Sequence, residues 1–140
     1  MKRLLLILMA FVLMSGNLCA SLEGKTGLTQ VSVYYFHGSF RCVTCTTLEK
    51  YSREAIDVNF KDALASGKLE FKEVNVEEQE NEHFVQDYQL YTKSLVLSLK
   101  KDGKEIKSKN LDKIWDYSRN KQKFINYVVE QVSAFLEEAK

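Results

Sequence analysis

Apolar residues along this chain follow two alternating rhythms. Val31 to Phe36 (Val-Ser-Val-Tyr-Tyr-Phe) is β-branched and aromatic and apolar at nearly every position, which predicts a strand covered on both faces. From Val43 to Ser66 the spacing becomes three and four. Leu48, Tyr51, Ala55 and Val58 form a stripe widened by Ile56, Phe60, Ala63 and Leu64, predicting a helix closed by Gly67. Lys68 to Glu77 predicts a second strand whose apolar phase changes between Phe71 and Val74, as a bulge or burial on both faces would require. Glu78 to Tyr88 is acidic and then amphipathic, predicting a short second helix with Phe84, Val85 and Tyr88 on its apolar side.

Ser94 to Lys100 predicts a third strand, and Lys101-Asp102-Gly103-Lys104 carries the Asp-Gly signal of a tight hairpin turn. Glu105 to Lys109 is then a short polar strand at a sheet edge. From Leu111 onward Ile114, Tyr117, Phe124, Tyr127, Val128, Val132, Phe135 and Leu136 describe helix, with a break near Arg119-Asn120. The order strand, helix, strand, helix, hairpin, helix makes the first two strands parallel through a right-handed crossover and the last two antiparallel. No repeat or low-complexity tract interrupts it.

The N-terminus reads differently. Lys2 and Arg3 precede an apolar run from Leu4 to Met14 and then Ser-Gly-Asn-Leu-Cys-Ala, the pattern of a secretory signal peptide over residues 1–20. The run is roughly half the ~20 residues of a membrane-spanning helix. Cleavage after Ala20 suits the small residue before the cut. Cys19 offers lipid attachment as an alternative, against which stands the bulky Leu18 before it. Either route implies a periplasmic or otherwise exported protein, in a compartment where disulfides persist. A membrane enters only if Cys19 is lipidated. Residues 21–30, with Gly24 and Gly27 and no periodicity, read as a flexible lead to one domain over residues 31–140.

Without Lys2 and Arg3, 18 basic residues face 19 acidic ones, so nothing points to nucleic acid. There is no Gly-rich phosphate cradle after a strand, no G-x-S-x-G and no H-E-x-x-H, which leaves nucleotide, hydrolase and metalloprotease readings without residues.

Cys42 and Cys45 carry the candidate chemistry. They lie in Phe40-Arg41-Cys42-Val43-Thr44-Cys45-Thr46, directly after the first strand and at the mouth of the first helix. Unpaired N–H groups and the positive end of the helix dipole stabilise negative charge there, making Cys42 the better thiolate and Cys45, one turn in, the resolving thiol. Arg41 and His37 would add positive charge, and Thr44 and Thr46 hydroxyl donors. Other readings compete. A structural disulfide would close too short a loop to constrain the unfolded chain much. A zinc site would need Cys42, Cys45, His37 and His83 to converge. An inert core pair fits poorly with this position. His37 invites a general-base role, although a strand-end histidine before glycine is more often a packed or capping residue; His83 reads as a solvated one, and Trp115 as core.

Taken together, these residues resemble the thioredoxin-like superfamily: the strand Val31 to Phe36, Cys42-Val43-Thr44-Cys45 opening a helix, Gly67 to Val76, then Tyr88-Gln89-Leu90 ahead of Ser94-Leu95-Val96-Leu97 and the hairpin. More narrowly, Tyr34-Tyr35-Phe36-His37-Gly38 leading into Arg41-Cys42-x-Thr44-Cys45 resembles the small exported proteins known as nitrophenyl-compound nitroreductase subunits of the ArsF family. The resemblance implies an α/β fold, a mixed four-stranded sheet with helices on both faces, and a nucleophilic Cys42 resolved by Cys45. Three features depart from it. Thioredoxins carry tryptophan where this chain has Arg41 and a buried acid where it has Tyr35-Phe36. They also place a cis-proline opposite the dithiol, where this proline-free chain has Thr92-Lys93-Ser94. Lys93 there either adds charge near the sulfurs or is a solvated loop lysine.

The function expected is an exported thiol-disulfide oxidoreductase using the C-V-T-C dithiol as its only redox group, with no bound cofactor. Its partner would be a disulfide-containing or dithiol protein, or another redox partner. A dithiol binding module for soft metal or metalloid ions through Cys42 and Cys45, and a non-catalytic thioredoxin-like partner subunit, are the alternatives.

Overall fold

A computed structural model describes residues 27–140. The signal peptide, Cys19 and most of the lead expected at residues 21–30 lie outside the described residues. Among the described residues no helix is long and apolar enough to cross a membrane.

Four strands form one sheet: β1 (Thr29–His37), β2 (Leu69–Asn75), β3 (Ser94–Lys101) and β4 (Lys104–Asn110), in the order β2-β1-β3-β4. β1 and β2 run parallel, while β3 is antiparallel to both β1 and β4. The helices are α1 (Val43–Asn59), α2 (Lys61–Ala65), α3 (His83–Asp87) and α4 (Lys121–Glu138). This is the mixed four-stranded, thioredoxin-like α/β architecture that the sequence resemblance implied.

Alternation along the strands divides the core in two. Val31, Val33 and Tyr35 of β1 and Leu95, Leu97 and Leu99 of β3 face α1 and α4, meeting Leu48, Ile56, Phe124, Val128 and Val132 in one cluster. Tyr34, Phe36 and Val96 point the other way, with Val74 and Leu90, and receive Phe84 and Tyr88 from the α3 segment. β1 is therefore apolar on both faces because both are covered. The phase change in β2 has the same cause. Its register against β1 is unbroken from Leu69 to Asn75, with Leu69 in the first cluster and Val74 in the second, so no bulge is needed.

Several boundaries differ from the periodic reading. β1 begins at Thr29, since β3 runs on to Lys101 and pairs with Thr29 and Gln30. Asp102 fastens that end: its N–H donates to the Leu28 carbonyl and its carboxylate accepts from the Leu28 N–H at 3.2 Å. The helix expected through Ser66 breaks at Phe60, just after the Asn59 side chain turns back to donate to the Ala55 carbonyl at 2.9 Å. The helix expected over Glu78 to Tyr88 is a 3-10 turn at Gln79–Asn81 followed by α3. Here the Asn81 amide donates to the Asn75 carbonyl at 3.0 Å and draws the chain away from regular helix.

The hairpin turn takes the left-handed conformation at Asp102 (φ 53°) and Gly103 (φ 78°), as Asp-Gly predicts. A bulge in β4 falls at Ile106, and every residue of that strand is exposed. The helix expected from Leu111 is only a 3-10 turn at Asp112–Ile114 followed by turns, and the expected break near Arg119-Asn120 is where α4 starts, capped by the Asn120 side chain accepting from the Lys123 N–H at 3.0 Å.

Candidate functional site

β1 ends at His37, and the loop from Gly38 to Arg41 delivers the chain to α1 with Cys42 as its N-cap. The two cysteines are joined by a disulfide, their Cα atoms 5.0 Å apart. Cys42 has extended backbone (φ −81°, ψ 164°), and its Sγ accepts the Cys45 N–H at 3.1 Å. One orphan donor of the helix is thus spent on this sulfur. The first turn of α1 contains no acidic residue to compete for the positive end of the dipole. Cys45 is only 2% exposed, whereas Cys42 is half-buried. Cys45 is the less exposed residue of the two, as its place one turn into the helix predicts.

The residues expected to support the pair are placed unevenly. Arg41 and His37 come together: an Arg41 guanidinium nitrogen lies 3.2 Å from His37 Nε2, and His37 Nδ1 lies 2.9 Å from the Gly38 carbonyl. A carbonyl only accepts and a guanidinium only donates, which fixes the proton on Nδ1 and the lone pair on Nε2. That lone pair is engaged by Arg41, so His37 holds Arg41 rather than standing free as a base. The other end of the guanidinium is ion-paired with Glu49 of α1, a partner the sequence reading missed. Thr44 is exposed, and the Thr46 hydroxyl donates to the Val43 carbonyl at 2.9 Å instead of toward sulfur.

Tyr35 was also missed as a site residue. Its ring is fully buried in the first cluster and its hydroxyl donates to the Cys45 carbonyl at 2.6 Å, tying β1 to the first turn of α1. Burial pushes its pKa up from 10.0 to about 12 against the opposing pull of Arg41, so the phenol stays protonated. The strict alternation of β1 placed Tyr35 with Val31 and Val33 on the α1 side. The periodicity alone could have shown this.

The loop before β3 faces the β1–α1 loop across a cleft of about 190 Å³ lined by residues including His37, Gly38, Glu77, Tyr91 and Lys93. Lys93 reaches over the Phe40 ring at 5.9 Å, and its carbonyl accepts the Trp115 indole N–H at 3.1 Å. Trp115 therefore anchors this loop as well as filling the core. Ser94 is buried and turns its hydroxyl back to the Thr92 carbonyl at 2.9 Å.

Across the cleft, Glu77 accepts the Ser39 N–H at 3.0 Å, and bonds from Ser39, aided by the charge of Lys93, hold its carboxyl below its ordinary pKa. Gly38 lets that carboxylate approach closely, since a Cβ there would push the exposed Glu77 side chain aside. His83 lies apart, exposed and paired with Asp87 at 2.7 Å, and does not converge on the cysteines. No group of three or more metal-ligating side chains forms among the described residues. A larger cleft of about 1000 Å³ opens at the opposite end of β1, among Leu28, Gly67 and Lys140, and includes neither cysteine.

Two large apolar side chains flanking the pair, Phe40 (75% exposed) and Val43 (85%), stand in solvent, as does Tyr91 (91%) in the loop before β3.

The strand order with β3 reversed, and the Cys42–Cys45 disulfide at the mouth of α1, give a thioredoxin-like α/β fold. Among solved structures the chain is similar to a thioredoxin of Fasciola hepatica, at 16% identity over 79% of this chain and 82% of that one, with a TM-score of 0.44. It is also similar to a structure described as a malarial protein, at 17% identity over 58% of this chain and 80% of that one, with a TM-score of 0.38. No family model matches the sequence and no curated protein does. The narrower resemblance to the ArsF proteins draws no support from these comparisons.

Proposed function

We propose that this protein is an exported thiol-disulfide oxidoreductase acting on polypeptide disulfides. The observation that carries the reading is the unequal setting of the sulfurs: Cys42 caps α1 and holds a helix N–H, while Cys45 is buried behind it. In the reduced protein the Cys42 thiolate would attack one sulfur of a partner disulfide. One Cys42–partner S–S bond forms as the partner's own S–S bond breaks, and the first partner thiolate leaves to take a proton from water. Cys45, deprotonated in turn, then attacks Cys42 Sγ and expels the second partner thiolate. Two electrons pass from the pair to the partner and the Cys42–Cys45 disulfide is restored. An external dithiol protein closes the cycle.

The exposed Phe40, Val43 and Tyr91 support a polypeptide rather than a small thiol as the partner, since they offer apolar contact beside an accessible sulfur. The apolar run behind Lys2 and Arg3 supports export.

The test is trapping. Expressed with its own N-terminus, a C45S variant should accumulate mixed disulfides through Cys42, and a C42S variant should accumulate none and lose activity on a peptide disulfide. A C42S variant that loses disulfide exchange yet keeps full biological activity would leave only a partner-subunit role. Tight arsenite binding by the reduced protein without disulfide exchange would favour the ion-binding alternative. Mass spectrometry of the mature chain reads the cleavage site and any lipid on Cys19.

A further inference from the structure

Arg41 stands beside Cys42 in sequence, with Cα atoms ~3.8 Å apart across the peptide bond. A free cation there would stabilise the thiolate. It is not free. Glu49 lies four residues beyond Cys45 in α1, on the same helix face, and its carboxylate pairs with the Arg41 guanidinium. The pair is largely sheltered, with side chains 30% and 21% exposed, so solvent screens it less than a surface ion pair.

His37 Nε2 holds the guanidinium from its other side at 3.2 Å, and Arg41 Nε is buried without a hydrogen-bond partner among the described residues. Arg41 also acts electrostatically on the Tyr35 hydroxyl, which itself bonds the Cys45 carbonyl. The guanidinium thus lies between His37 at the end of β1 and Glu49 of α1. No catalytic contact of Glu49 with sulfur is implied.

We propose that Glu49 is a positioning residue that, by neutralising Arg41, limits how strongly the Cys42 thiolate is stabilised and thereby sets the reduction potential of the pair. The proposal rests on the redox reading above. With both charges present the sulfur feels a dipole; without Glu49 it feels a cation, and without Arg41 an anion. The two single substitutions must therefore act in opposite directions, which loss of a merely structural contact would not produce. Lys93 and Glu77 stay the same in all variants.

The test measures the glutathione equilibrium of the Cys42–Cys45 disulfide and the pH dependence of Cys42 alkylation in wild type, E49Q, R41M and the double variant. E49Q should lower the Cys42 thiol pKa and shift the equilibrium toward the dithiol by about tenfold, equivalent to about 30 mV. R41M should raise the thiol pKa and shift the equilibrium the other way by at least about threefold, and the double variant should return to within about threefold of wild type.

The proposal is overturned if E49Q stays within about twofold of wild type in the equilibrium, or if both single variants move it in the same direction. Should E49Q not fold, R41K against R41M decides: R41K must stay close to wild type while R41M departs, and equal departures overturn the idea. A wild-type protein that forms no reversible disulfide at any glutathione ratio refutes the redox reading itself, a result distinct from any of these.

Discussion

Removing the Tyr35 hydroxyl should weaken the fold by a small, measurable amount with a characteristic pH dependence. In Tyr35→Phe the ring still fills its place in the core, so no cavity opens, and the loss is one buried hydrogen bond of 2.6 Å to the Cys45 carbonyl. Such a bond contributes on the order of 1 kcal/mol net. The figure stays at that level because the carbonyl has a second lone pair for its helical N–H partner and is not orphaned. Urea unfolding of the oxidised protein near neutral pH should show a lower midpoint with unchanged slope.

The sign of the alkaline dependence follows from the phenol's raised pKa. The stability carried by the neutral phenol is complete below 10.0 and is lost as pH rises through about 12, because the unfolded chain releases the proton first. The gap between wild type and Tyr35→Phe should therefore narrow from neutral pH into that window. Spectrophotometric titration should lose a late tyrosinate step in the variant. Equal midpoints near neutral pH, or a gap that widens in alkali, would refute the reasoning.

Asn120→Ala removes the side-chain cap of α4 and should cost about 1 kcal/mol, lowering Tm by roughly 4 °C in a calorimetric scan. At Glu70, burial pushes the carboxyl pKa up, but the 2.6 Å bond from Ser32 and the bond and charge of Lys72 outweigh it and leave the pKa lowered. The associated stability is present above the ordinary carboxylate pKa and is lost as pH falls through the lowered one, so denaturant titrations of Ser32→Ala should differ from wild type most near neutrality and least in acid.

How far the sequence reached depended on whether a feature was periodic. β1 is legible because six consecutive buried positions, Val31 to Phe36, leave only one regular structure that fits. The hairpin is legible because Asp-Gly supplies two left-handed residues. Asn59 and Asn81 were not, since each ends helix through a side-chain bond to a particular carbonyl, and periodicity carries no record of that. At the site, Cys42 and Cys45 followed from spacing and from the strand-to-helix junction. The charge around them did not. Arg41 precedes the helix while Glu49 lies inside it, so their pairing depends on how the β1–α1 loop folds back. Thr46 turns away from sulfur for a local reason: at the start of a helix the nearest carbonyls compete for hydroxyls, as Val43 does for Thr46.

The loop before β3, which faces the β1–α1 loop across the smaller cleft, bears on how a partner would be recognised. Without a proline, residues 92–94 are held by other means: the Trp115 indole takes the Lys93 carbonyl at 3.1 Å, and the Ser94 hydroxyl takes the Thr92 carbonyl at 2.9 Å. Both carbonyls have already accepted one bond from the protein, leaving a single lone pair each for a partner backbone. Recognition through main-chain pairing has correspondingly less to draw on there. Side chains have more, because Phe40, Val43 and Tyr91 are among the most exposed large apolar groups described, and Lys93 lies over the Phe40 ring. If the oxidoreductase proposal holds, such a surface would grip apolar and aromatic side chains around a partner cysteine, and would tolerate varied backbone geometry better than a strand-pairing edge does.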